Sequence, residues 1–196
     1  MKKALFLIFA ALALTAQTAS DGPQFSNDGQ LMLPKDYRQW IFLSSGLGMT
    51  YGPAPATEPA NPAFDNVFVN PSAYRAFIET GRWPDKTMFV LEVRNSTGHG
   101  SINNGGHYQG DVRAVEAEVK DEKRFPHKWN FFGFGLKDTG NPQPADSSCN
   151  NCHSQNGAVD NTFIQFYPTL LEIAKKKGTL TAAYLQKSAI EAPAEK

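Results

Sequence analysis

Cysteine is scarce in this chain, with two among 196 residues. That excludes a small fold stapled by several disulfides. Neither sign of charge is in excess: Lys plus Arg and Asp plus Glu are 19 each, and the formal net charge is zero. The basic footprint of a nucleic-acid binder, or of a protein drawn to acidic membrane, is therefore missing. Long apolar runs are missing too. The longest, Ala4 to Leu14, falls short of the roughly 20 residues that a membrane-crossing helix needs. No internal repeat is visible.

What that run carries instead is an address. Lys2 and Lys3 precede it and small residues follow through Ser20, the pattern of a secretory signal peptide over residues 1–20. Cleavage is expected between Ala16 and Ser20. The expected product is one domain over residues 21–196, exported to the periplasm and with no membrane attachment once cleaved.

The two cysteines stand together in Cys149-Asn150-Asn151-Cys152-His153. This is the attachment motif of c-type haem: each thiol adds to a vinyl group and the histidine ligates iron. The motif has rivals in zinc and in dithiol redox chemistry. A zinc site needs four ligands, so His99, His107 or His127 would have to complete it. A redox pair usually opens a helix after an early strand, whereas this pair lies in the last quarter of the chain. The expectation is one covalently bound haem c held by Cys149 and Cys152, with His153 as axial iron ligand and no disulfide.

Around the motif the pattern reads as α+β. Asn70-Pro71 followed by Ser72 to Thr80 and Gly81 has a cap, a proline at the first helical position and a glycine stop. Five runs read as strands: Trp40 to Ser44, Asn66 to Val69, Thr87 to Arg94, Gly110 to Lys120 and Lys128 to Gly135. Alternation puts Phe89, Leu91 and Val93 on one face, with Met88, Val90, Glu92 and Arg94 on the other. Along the next run Val115, Ala117 and Val119 share a face opposite Ala114, Glu116 and Glu118. Short connections favour an antiparallel five-stranded sheet flanked by helices, with haem attached near the C-terminus. Gly52 to Pro62 reads as an irregular loop and Ala192 to Lys196 as a frayed tail. Pro168 either kinks a helix after the haem motif or opens a second one before Gly178.

Four stretches carry a family likeness. They are Leu33-Pro34-Lys35-Asp36-Tyr37-Arg38-Gln39-Trp40, Val67 to Tyr74, Val119 to Phe125, and Phe163-Ile164-Gln165-Phe166-Tyr167-Pro168 after the haem motif. Together they resemble the cytochrome P-460 family, which includes the beta-type cytochromes c-prime. The resemblance implies a small, mostly antiparallel β protein, usually homodimeric, with one pentacoordinate haem. It also implies a place on the strand from Thr87 to Arg94 where hydroxylamine-oxidising members carry a lysine cross-linked to the haem. Leu91 stands there and has no amine. Lys86, the nearest lysine in sequence, lies at the strand entrance on the other parity. By the same resemblance Phe64 and Phe68 line the distal pocket and Glu116 matches a pocket carboxylate; a solvated strand face would give Glu116 the same pattern.

The leading expectation is therefore a periplasmic monohaem cytochrome whose open distal site takes a small diatomic such as nitric oxide, closer to the beta-type cytochromes c-prime. The first alternative is an enzyme oxidising hydroxylamine or a related compound, with Glu116 as proton acceptor and an acceptor cytochrome as electron partner. The second is a plain electron-transfer cytochrome with a methionine ligand, for which Met49 is favoured over Met32 and Met88.

Overall fold

The computed structural model describes residues 20–51 and 61–191. The expected signal peptide, most of the Gly52 to Pro62 loop and the C-terminal tail lie outside the described residues. Among the described residues no helix is long and apolar enough to cross a membrane.

Seven strands form one antiparallel sheet, two more than the five expected from alternation. They are β1 (Leu31–Met32), β2 (Ile41–Leu47), β3 (Phe64–Val69), β4 (Met88–Thr97), β5 (Tyr108–Lys120), β6 (Trp129–Gly135) and β7 (Thr139–Pro142), in the order β1-β7-β6-β5-β4-β3-β2. The two unforeseen strands lack any apolar alternation. β1 has two residues, and β7 reads Thr-Gly-Asn-Pro. Gly140 packs closely there: a Cβ would meet the Gly133 carbonyl oxygen at 3.1 Å and the Phe134 ring at 3.2 Å, so a neighbour would have to give by a few tenths of an ångström.

The helices are α1 (Pro71–Thr80), α2 (Ser148–Asn156), α3 (Pro168–Lys177) and α4 (Ala182–Glu191). α1 begins and ends as the sequence predicts, with Pro71 in its first turn and Gly81 left-handed at φ 72°. Its cap is different. The Asn70 side-chain oxygen accepts from the Met88 N–H instead (2.8 Å), tying the helix start to β4. Asp21 supplies the capping carboxylate, accepting from the Ser72 N–H at 2.7 Å and the Ser72 hydroxyl at 2.5 Å. Pro168 opens a separate helix, and the last turn of α3 carries Lys175 to Lys177 before left-handed Gly178.

Each face of the sheet builds its own core. On one, Val69, Phe89 and Trp129 pack against Ala73 and Phe77 of α1, Trp83, Ile164, Tyr167, and Leu170 and Ala174 of α3. On the other, Met88, Val90, Val115, Ala117, Val119 and Phe132 are covered by Leu31, Tyr37, Trp40 and Phe125. The expected alternation of β4 and β5 is thus realised, and parity decides which core a residue joins. Each buried Phe or Leu contributes roughly 1.5–3 kcal/mol. The first face, which the helices cover, also receives α2.

Candidate functional site

The site is built on α2. Ser147 caps the helix, its hydroxyl oxygen accepting from the Asn150 N–H. Cys149 and Cys152 follow three apart, so both thiols lie on one side of the helix. Both are free and half-buried. Asn150, between them in sequence, is buried and donates to the Pro144 carbonyl at 3.1 Å, locking the helix to the chain that enters it.

The ring of His153 is held on three sides. It lies between Phe131 of β6 and Phe163, with ring centroids 4.4 and 4.1 Å away. Its Nδ1 is 2.8 Å from the carbonyl oxygen of Asn161. A carbonyl only accepts, so Nδ1 carries the proton and Nε2 keeps its lone pair. No hydrogen bond engages Nε2 among the described residues. The turn that delivers Asn161 needs Gly157, where a Cβ would lie 2.8–2.9 Å from backbone atoms of Asn161, His153 and Thr162. Thr162 is anchored in turn, its hydroxyl accepting from the Trp83 indole N–H at 2.9 Å.

A buried carboxyl stands beside the ring. Glu118 Oε1 is 3.4 Å from His153 Nδ1, and Glu118 is the cross-strand partner of Phe131. Burial pushes the Glu118 carboxyl above its ordinary range, against the opposing pull of His153. Burial alone would lower the His153 imidazole, but the Glu118 charge and the Asn161 carbonyl outweigh it and raise the value. Burial wins at the acid and pairing wins at the base.

His153 meets the sheet on the face that carries Glu118 and Phe131. The next cross-strand row on that face is Val67, Leu91, Glu116 and Gly133, and beyond it lies Asp65 beside Val93. Leu91 and Glu116 are direct cross-strand partners, one row from Glu118 on the same face. Burial and then the Glu116 charge raise the Asp65 carboxyl, with Arg113 opposing. Burial and then Glu116 also raise the Cys149 thiol. Tyr51 stacks on Phe163 at 6.1 Å. Met49 folds back onto Gly46, the partner of Asp65, whereas Met88 is buried in the opposite core and Met32 lies in β1 at the far edge.

Phe64 and Phe68 lie on the sheet face away from His153. The ring of Phe68 meets Tyr37 at 5.7 Å and Phe42 at 5.6 Å on that face, and Phe64 shares its parity on β3. Side chains alternate with period two, so on β3 the residues that share the His153 face are Asp65 and Val67. Lys86 is engaged elsewhere, 2.5 Å from Asp121. His99, His107 and His127 are exposed in connecting segments outside the strands and helices. Sequence reasoning did not single out Glu118, Phe131, Asn161 or Asp65; only the shared parity of Glu116 and Glu118 pointed toward one of them.

These residues suit haem better than the rivals. Two reduced thiols share a helix side, a neighbouring imidazole presents a free Nε2, and aromatic rings flank it. Among the described residues no group of three or more His, Cys, Asp or Glu is placed to hold a metal ion directly, as structural zinc would require. No curated protein matches the chain. The family model described as Cytochrome P460 matches residues 34–164, which is 131 of 196 residues and takes in the sheet from β2 onward, α1 and α2 with its motif. This chain belongs to the cytochrome P460 family, whose cofactor is haem.

Proposed function

We propose that this protein holds a single haem through thioethers from Cys149 and Cys152, with His153 Nε2 on the iron, and leaves the opposite side open to a small diatomic ligand such as nitric oxide. Leu91 carries the reading. It lies on the His153 face of β4, and the family likeness aligns it with the cross-linking lysine of hydroxylamine-oxidising members. When bound, the haem supplies an iron centre that changes oxidation state and accepts an exchangeable ligand.

The chain's own residues divide the work. The aromatic pair and the Asn161 carbonyl fix the imidazole, and Leu91 with Val67 makes the β3–β4 part of this row apolar, which disfavours charged ligands there. This is the character of the beta-type cytochromes c-prime. Export to the periplasm, homodimerisation and an electron-exchanging partner cytochrome belong to the same proposal. The test is absorption and resonance Raman spectroscopy of ferric and ferrous holoprotein with carbon monoxide and nitric oxide. Five-coordinate haem with an unshifted Soret band and ready ligand uptake supports the proposal; a sixth protein ligand such as Met49 in both states refutes it in favour of electron transfer.

A second reading, hydroxylamine oxidation, is favoured by one observation. Glu116 and Asp65 both project from the haem-facing side, and their raised or exposed carboxyls are suited to accept protons from a bound substrate. Steady-state turnover of hydroxylamine with an artificial acceptor would establish this reading and overturn ligand binding alone.

A further inference from the structure

Glu118 is expensive to keep where it is. It is 9% exposed, and its cross-strand neighbours Phe89 and Phe131 are both buried aromatics. Its Oε1 has no hydrogen-bond partner among the described residues, because the one nearby proton, on His153 Nδ1, is already given to Asn161. A buried carboxyl without a partner destabilises a fold, and an apolar side chain in this row would pack at no such cost. No ion pair with Lys or Arg compensates it among the described residues; the other acid near it is Asp160, whose charge adds to the burden. Folding gives this residue no reason to be Glu.

The site does. An imidazole that ligates a metal transmits the character of the group on its other nitrogen: a neutral carbonyl leaves it neutral, while a carboxylate draws the proton away and makes it a stronger donor. His153 has one acceptor of each kind, the carbonyl at 2.8 Å and Glu118 Oε1 at 3.4 Å. Phe131 and Phe163 hold the ring against rotation, so the choice between acceptors is set by small displacements in the ring plane.

We infer that Glu118 is a positioning residue of the proximal side, a second acceptor for the His153 Nδ1 proton that strengthens the donation of this imidazole to iron and stabilises the ferric state. The inference rests on His153 being the iron ligand. It concerns the side of the haem that the family likeness leaves unaddressed, and assigns control of the iron to a residue that never touches it.

The experiment uses ferrous and ferric holoprotein of the native chain, Glu118→Gln, Glu118→Met and Glu118→Asp. Two quantities are read: the iron–histidine stretching frequency by resonance Raman, and the ferric-to-ferrous ratio at a fixed ambient potential. E118Q is expected to lower the frequency and shift the ratio about tenfold toward ferrous, equivalent to about 59 mV for one electron. E118D, which keeps the charge, is expected to recover part of both shifts. E118M removes charge and hydrogen bonding at similar volume and carries the same two readouts if the Gln variant does not accumulate. Unchanged frequency and ratio in a folded Gln or Met variant overturn the inference. Absence of any iron–histidine band in the native ferrous protein overturns the ligand assignment beneath it, before Glu118 is altered.

Discussion

Glu92→Gln gives a stringent test of the two-faced sheet. Glu92 is 2% exposed on the face opposite His153, and three donors converge on it: the Tyr37 hydroxyl at 2.5 Å, Arg38 Nε at 2.7 Å and Arg94 Nε at 2.5 Å. Glutamine keeps the shape but removes the charge and turns one acceptor into a donor facing donors. Breaking a buried pair by neutralising one partner costs about 3–5 kcal/mol. Arg38 is 52% exposed on its side chain and Arg94 25%, and Arg94 also donates to the Gly110 carbonyl, so water and backbone recover part of this. About 3 kcal/mol remains, which for a domain of this size lowers Tm by roughly 6–12 °C.

Burial would raise the Glu92 carboxyl, but the hydrogen bonds from Arg94, Tyr37 and Arg38 outweigh it and hold the value below its ordinary 4.5. The folded value is depressed, so the stabilisation is present above about 4.5 and is lost as the pH falls through the folded value. The gap in Tm between parent and E92Q is therefore full at neutral pH and closes in acid. Thermal unfolding followed by circular dichroism, with the Soret band as a second probe, measures it. The haem spectrum should not change, because Glu92 and His153 occupy opposite faces of the sheet. A Tm within about 2 °C of the parent at pH 7, or a gap that widens in acid, refutes the reasoning.

Leu91→Lys places an amine in the row of Val67, Leu91 and Glu116; if the proposed haem lies over that row, the expected result is a shifted and broadened Soret band, and a spectrum identical to the parent after turnover conditions would count against the row facing the haem. Gly157→Ala forces a methyl to within 3 Å of three backbone atoms, so it should cost about 1–3 kcal/mol and weaken the iron–histidine band, read by denaturant unfolding and Raman. Asp21→Ala removes the cap of α1 and should cost about 1 kcal/mol in the same unfolding assay with the haem spectrum unchanged; a neutral effect would place the cap elsewhere.

Legibility followed the range of the interaction. α1 and the central strands were readable because their signals are local: a proline and glycine at the ends of α1, alternation in Met88 to Arg94 and in Ala114 to Val119. β1 and β7 were not, since their residues are strands only because β6 and β7 offer them open edges. The pentapeptide from Cys149 to His153 is contiguous, so its motif is plain in the sequence. The surroundings of His153 come from β5, β6 and the turn at Asn161, and one of its partners is a main-chain carbonyl that no side-chain pattern encodes. Glu118 was hidden by its own regularity, since alternation grouped it with the exposed Glu116. For Phe64 and Phe68 the likeness named positions on β3, and a position in an alignment does not specify which face of the strand it takes.

The anchoring of Asn161 sets how the proximal side opens. Trp83, whose indole N–H holds Thr162, packs its ring against Phe77 at 4.2 Å and Phe89 at 4.8 Å in the centre of the helix-covered core. The turn that receives the His153 proton is thus bonded to the residues expected to exchange their amide hydrogens last. Local fraying of α2 alone leaves that acceptor in place, and the imidazole finds it again on reclosing. Permanent loss of the His153–Asn161 contact therefore belongs to global unfolding, and its lifetime should follow the lifetime of the core.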